Sequence, residues 1–155
     1  MVTAPPIPLM AAVGPVSVPE PRELAIRRLD VGESHLHAQL AGAAFKAPPE
    51  LFATIITETT LGLPAVRGYV GEVGGTPVAT AIAATINDAV GVFNVATTAE
   101  HRRRGYGAAV TSRAISDGRA AGATWSWLQS AEPASRAYER LGFATLERWS
   151  CWLGG

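Results

Sequence analysis

Hydrophobic positions along this chain change their period several times. In Glu23–Leu29 (ELAIRRL), Leu24 and Ile26 fall two apart, which predicts a short strand. From Glu33 to Phe45 the spacing of Leu36, Leu40 and Phe45 is close to helical, and Asp30 or Ser34 can cap the start. Pro48 and Pro49 break this helix. Pro49 suits the first turn of a second helix, Glu50–Leu61, with Leu51, Ile55 and Leu61 toward a core. Gly62 and Pro64 end it. The pattern then alternates. Val66–Val73 runs into Gly74-Gly75, a two-glycine turn of the kind that closes hairpins. Thr76–Ile86 returns, Asn87-Asp88 turns again, and Ala89–Thr97 puts Val90, Val92, Asn94 and Ala96 on one side. Three runs joined by tight turns predict an antiparallel meander.

Helical spacing resumes after a polar, basic stretch at Thr98–Arg104. Val110, Ala114 and Ile115 give a helix from about Gly105 to Ala121 an apolar stripe, and Gly122 stops it. Thr124–Gln129 is a short strand with Trp125 and Trp127 on one face. Pro133 opens a short helix to Leu141, Gly142 ends it, and Ala144–Leu153 is a last strand. The order β-α-α-β-β-β-α-β-α-β predicts an α/β fold with a mixed, mostly antiparallel sheet and helices on both faces.

Composition narrows the picture. A chain of 155 residues has room for one domain with a real core, and 48% apolar against 17% charged residues excludes disorder. Thirteen basic and thirteen acidic side chains cancel, so neither nucleic acid nor an acidic membrane is an expected partner. One cysteine, Cys151, cannot form an internal disulfide or a cysteine-based zinc site, and predicts a reducing, cytoplasmic setting. No run of about 18 apolar residues is present to span a membrane. Residues 1–21 hold six prolines and neither Lys nor Arg, and read as an extended arm or linker ahead of a domain over 22–155.

The stretch from His101 to Ala109 (HRRRGYGAA) concentrates positive charge where a strand gives way to a helix. A helix start leaves about four N–H groups without internal partners. Gly105 and Gly107 remove side chains that would keep an anion from those amides, and Arg102, Arg103 and Arg104 add charge. A solvated basic loop ahead of a glycine-softened helix start fits the same residues. The dinucleotide fingerprint lacks its third glycine here, and no GxxxxGK[ST] is present.

Val95-Ala-Thr97 followed by Arg102-Arg-Arg-Gly105-Tyr-Gly107-Ala108 resembles motif A of the GNAT (GCN5-related) N-acetyltransferase superfamily, written R/Q-x-x-G-x-G/A after a strand. Tyr138-Glu-Arg-Leu-Gly142-Phe143 resembles its motif B, Y-x-x-x-G-F. The resemblance covers about residues 23–153. It implies acetyl-CoA as acyl donor, an amine acceptor, direct transfer in a ternary complex and no metal. It assigns Val95, Ala96 and Thr97 to the pantetheine, and the amides of Arg103, Arg104, Gly105, Tyr106, Gly107 and Ala108 to the pyrophosphate. Arg102 fills the motif's first position, and Tyr138 is the candidate to assist the leaving thiolate.

Departures from the family pattern concern the base. Twelve residues before Tyr138, where some relatives carry glutamate, stands Ser126; seven before it, where asparagine is common, stands Ala131. Glu72 and Glu132 are the remaining acidic candidates, beside a water chain. This gap keeps a non-catalytic acyl-CoA-binding or regulatory module as the alternative. His35 and His37 are two apart on a helix, so they face different ways and do not pair on a metal. His101 borders the cradle. The four tryptophans could line an acceptor pocket or pack on a sheet face, and Trp149, Trp152 and Leu153 offer a surface for a homodimer.

Overall fold

The computed structural model describes residues 2–153, with side chains for residues 3–152. Seven strands form one sheet: β1 (Val2–Val13), β2 (Leu24–Arg28), β3 (Val66–Val73), β4 (Thr76–Ile86), β5 (Ala89–Thr97), β6 (Trp125–Gln129) and β7 (Ala144–Leu153). Their order across the sheet is β2-β3-β4-β5-β6-β1-β7. Every neighbouring pair is antiparallel except β5 and β6, which run parallel. The meander of β3, β4 and β5 has the bounds that alternation predicts. Gly74 and Gly75 both take positive φ (58° and 79°), the requirement of a type I′ hairpin turn.

Helices α1 (Ser34–Phe45) and α4 (Tyr106–Ala120) lie on opposite faces of this sheet. The main core packs Val110, Ala114 and Ile115 of α4 against Ala79, Ala81 and Ala83 of β4 and Val90 and Val92 of β5. Three alanines on the facing strand let the helix settle close. At Gly118 an added Cβ would lie 2.7 Å from Val90 Cβ, so the helix has no room for one there. On the other face Ala41 and Ala44 of α1 close over Ala96. No helix among the described residues is long and apolar enough to cross a membrane.

Two expectations change. Of the segment over residues 1–21 expected as an arm or linker, residues 2–13 form β1, seated between β6 and β7, while residues 15–21 join no strand. The prolines of β1 are tolerated for a local reason. Pairing with β6 begins only at Leu9, so Pro5, Pro6 and Pro8 forfeit no N–H bond on that side. On the β7 side Pro5 and Pro6 fall in a register break between Ala4 and Ile7, where the ladder is already interrupted. The predicted helix Glu50–Leu61 is two short helices, α2 (Pro49–Ala53) and α3 (Glu58–Leu61). Thr54, Ile55, Ile56 and Thr57 are four consecutive β-branched residues, and they break it. The Thr57 hydroxyl then caps α3 by accepting from Thr60 N–H at 3.1 Å. Leu61 is buried as expected, but Leu51 and Ile55 are exposed.

On the last strand Trp149 and Trp152 are 47% and 63% exposed. The side chain of Leu153, grouped with them above, lies outside the described residues.

The two histidines of α1 part as their spacing requires, His35 to solvent and His37 into the core. Thr80 donates its hydroxyl hydrogen to the Tyr69 carbonyl (2.9 Å), so His37 Nδ1–H donates to Thr80 Oγ1 at 2.8 Å. Nε2 is left buried and without a partner. Burial favours the neutral ring and pushes its pKa down to about 4 from an ordinary 6.5. A depressed histidine stabilises the fold fully above pH 6.5, and that contribution is lost as pH falls toward 4. The difference corresponds to roughly 3 kcal/mol. Urea titrations should record a fall of about 2–3 kcal/mol in the wild type between pH 7 and 4.5. His37→Leu should remove most of that slope, because Glu33, held near 2 chiefly by Arg27, gives up its own contribution only below pH 4.5.

Candidate active site

The site begins where β5 and β6 stop pairing. Their parallel ladder runs from Ala89–Trp125 to Val92–Leu128 and ends there. The cause lies two residues further along β5. Phe93 pairs with Ile82 and Ala96 with Thr80, so Asn94 and Val95 together oppose the single residue Ala81. This is a β-bulge with Asn94 at φ 49°, a left-handed conformation that asparagine tolerates better than most residues. The bulge also reverses the alternation. Val90, Val92 and then Val95 face α4, while Ala96 turns to α1, which corrects the single face expected for Val90, Val92, Asn94 and Ala96.

Past the bulge the β6-facing edge of β5 has no strand partner among the described residues, and a groove follows it through the sheet. On the α4 side is a recess of about 130 Å³ bounded by Val95, Gly107, Ala108, Tyr138 and Leu141. A middle cavity of about 170 Å³ shares Val95 and Tyr138 with it and adds Phe45, Asn94 and Gln129. On the far side a third cavity of about 280 Å³ shares Asn94, Gln129, Ser130 and Ala131, and is closed by Ile7 of β1.

The predicted cradle sits at the α4 end of this groove. Gly105 caps α4 with φ 79°, and Arg103 before it also takes positive φ, 63°. The first helical bond is Ala109 N–H to the Gly105 carbonyl. Consequently the N–H groups of Arg103, Arg104, Gly105, Tyr106, Gly107 and Ala108 have no protein acceptor among the described residues. Six free donors thus stand in succession at the positive end of a 15-residue helix, an arrangement that favours an anion. Gly107 is a close approach: an added Cβ would lie 3.3 Å from Thr97 Oγ1.

Side chains around the cradle divide their work. Arg102 turns inward, donating to the carbonyls of Ala44 (2.6 Å) and Thr97 (3.3 Å), and so ties the loop to the end of α1 and to β5. Arg103 and Arg104 are both exposed, and the Arg104 guanidinium stands beside the Tyr106 hydroxyl and the Glu23 carboxylate. Tyr106 is buried and donates to Glu23 Oε1 at 2.8 Å, leaving only its backbone to the cradle. His101 is held to the Thr98 hydroxyl through Nδ1 at 2.9 Å. The composition and spacing of HRRRGYGAA do not reveal Glu23 as the anchor.

Tyr138 lies on α5 (Ser135–Arg140), which ends in a Schellman motif. Phe143 N–H donates to the Tyr138 carbonyl (3.1 Å) and Gly142 N–H to that of Glu139 (3.0 Å), with Gly142 at φ 98°. Phe143, buried, meets the Tyr138 ring edge-on at 6.0 Å. The Y-x-x-x-G-F spacing is thus the spacing of a helix stop that aims the tyrosine into the groove. Burial raises the phenol above its ordinary 10, with a smaller opposing effect from Thr111, so it stays a neutral donor at physiological pH.

The base candidates fare differently. Glu72 is taken up by Arg27 at 3.1 Å on β2 and β3, away from the groove. Glu132 lies beside Ala131 and is paired with Arg148 at 3.2 Å. Ser126 is fully buried beneath β1, and Ala131 lines the two cavities nearest β6. Trp127 meets Phe93 edge-on at 5.1 Å, over Gly91, where a Cβ would come within 2.9 Å of both rings. Among the described residues no three of His, Cys, Asp and Glu cluster as a metal site. Phe45, Gln129, Ser130 and Ile7 carry no local signal, because only the meeting of α1, β1 and the end of β6 at the groove brings them together.

Comparison with known proteins agrees with this geometry. The model of the acetyltransferase (GNAT) family matches residues 20–143, and the chain belongs to that family. A GCN5-related N-acetyltransferase from Kribbella flavida is 28% identical with a TM-score of 0.69, over 95% of this chain and 57% of its own. A protein assigned to the GNAT acetyltransferases from Novosphingobium aromaticivorans is 25% identical with a TM-score of 0.71, over 94% of this chain and 62% of its own. The chain therefore spans about three fifths of these two relatives. An aminoglycoside N-acetyltransferase, AAC(6')-Iy, in complex with CoA has the same fold at 15% identity, with a TM-score of 0.70 over 89% of this chain and 99% of its own. A search of curated proteins gives no match.

The cradle's left-handed turn makes a direct demand on sequence. Gly105→Ala should lower unfolding stability by about 1–2 kcal/mol in urea titration, since an L side chain at that φ is strained even where space is open.

Proposed function

We propose that this domain transfers the acetyl group of acetyl-CoA to a primary amine by direct attack within a ternary complex. One observation carries the reading: six successive unpaired amides open onto the same groove that passes the unpaired edge of β5 and Tyr138. The amides of residues 103–108, with Arg103 and Arg104, would hold the diphosphate. Val95, Ala96 and Thr97 offer backbone groups to the pantetheine as a neighbouring strand would. Arg102 steadies the loop with two of its five N–H donors and, being exposed, keeps the others available to the diphosphate.

The thioester would then lie at the bulge, between the middle and far cavities. A neutral amine attacks its carbonyl carbon from the far side, the C–N bond forms, and the oxygen becomes an oxyanion facing the Val95 N–H. Collapse breaks the C–S bond, and the nitrogen loses its extra proton to solvent. Tyr138 donates a hydrogen bond to the leaving sulfur. Full proton transfer from a phenol above 10 to a thiolate near 8.5 is uphill by roughly 2 kcal/mol or more. Its main contribution is therefore stabilisation of the anion.

Calorimetry with coenzyme A and thiol-release assays across an amine panel test the reading. Tyr138→Phe should lower kcat by roughly 10- to 100-fold, the worth of one hydrogen bond to a charged group, with coenzyme affinity nearly unchanged. Gly107→Val, which adds bulk against Thr97 and Val95, should instead weaken coenzyme binding. Coenzyme binding without turnover on any amine would make this a binding module. The absence of coenzyme binding at millimolar concentration would remove the proposal.

A further inference from the structure

We infer that the acceptor is a primary amine of low basicity, of the α-amino type, carried on an apolar body; the inference rests on the acetyltransferase reading above. Its basis is the chemistry of the far cavity. Ile7, Val92, Phe93, Asn94, Gln129, Ser130 and Ala131 line it, and none of these ionises.

Among the described residues the charged groups near this cavity stand at its rim. Glu132 is paired with Arg148. Glu147 accepts from the Trp149 indole N–H at 2.8 Å. It sits opposite Leu9, which sits opposite Gln129, so two strand spacings, roughly 10 Å, separate Glu147 from the cavity wall. Lys46 follows Phe45 at the edge of the middle cavity, and Tyr138 is the one titratable residue of α5 that lines it. Among the described residues no carboxylate lines the cavity to hold an ammonium group or to take its proton.

An amine entering this cavity must therefore arrive neutral. At pH 7.5 about a third of α-amino groups are neutral, against about one in a thousand ε-amino groups, a ratio of roughly 300. The site selects by the acceptor's own basicity. The carbon skeleton follows from the surface beside the cavity. Ile7, Leu9 and Ala11 alternate along one face of β1, Ala11 opposite Trp127, and all are half-buried. Phe93 and Trp127 continue that shelf. Asn94 and Gln129 supply neutral amides suited to the carbonyl and amide that flank an α-amino group. A polycation would meet apolar surface where it needs carboxylates.

The experiment first titrates coenzyme A into the protein, then measures initial rates with acetyl-CoA and three probes from pH 6 to 9.5. Phenylalaninamide and phenethylamine share an aromatic body and differ in basicity, and spermidine is the polycation. Phenylalaninamide should exceed phenethylamine in kcat/KM at pH 7.5 by at least about 30-fold. The phenylalaninamide profile should inflect at the pKa of that amine, and those of phenethylamine and spermidine should still be rising at pH 9.5, all unmoved by Glu132→Gln or Glu147→Gln. Equal or better use of phenethylamine or spermidine overturns the inference. So does an inflection below pH 7 common to all acceptors and abolished by Glu132→Gln. If coenzyme binds but phenylalaninamide is not acetylated while another probe is, the inference fails and the acetyltransferase reading stands. If coenzyme does not bind, both fall.

Discussion

The structure of the site depends on one extra residue in β5. Asn94 and Val95 opposite Ala81 turn a regular ladder into a bulge, and the parallel pairing with β6 ends two residues earlier, at Val92. A strand that kept its register would stay bonded to β6 and leave no groove. With the bulge, the β6-facing edge beyond Val92 is free, and Asn94 lines both the middle and the far cavity. Backbone geometry, more than any reactive side chain, creates the opening.

Close packing of α4 then aligns the anion seat with that opening. Alanines on β4 and the glycine at 118 bring the helix down on the sheet, and Gly107 comes within a methyl's width of Thr97. Arg102 and Tyr106 fix the loop from both sides, one to α1 and β5, the other to Glu23 ahead of β2. Tyr106 within the row of free amides and Arg102 just before it tie the loop down at two points. Such preorganisation would make a row of modest donors useful to the proposed diphosphate.

The far side of the groove is built from distant parts of the chain. Ile7 comes from β1, Phe93 and Asn94 from β5, and Gln129 to Ala131 from the end of β6. The N-terminal strand thus takes part in the wall facing the proposed acceptor. Its neutrality, with carboxylates held at the rim by Arg148 and Trp149, is the ground for expecting a weakly basic substrate.

Much of this was legible in the sequence. The meander, both main helices, the glycine turns and the Tyr138–Phe143 helix stop follow from local periodicity and turn chemistry, which depend only on near neighbours. The amide cradle was legible too, because a helix start flanked by Arg and Gly exposes its donors whatever packs behind it. Tertiary structure decided the rest. Six prolines in residues 1–21 suggest an arm, yet residues 2–13 are a strand, since their partners are β6 and β7, over a hundred residues away. The bulge at Asn94 is a matter of register between two strands, and the inward turn of Arg102 depends on a carbonyl 58 residues distant. Long-range pairing leaves no mark on local composition, and for that reason the chain alone announces its anion seat but not the wall opposite.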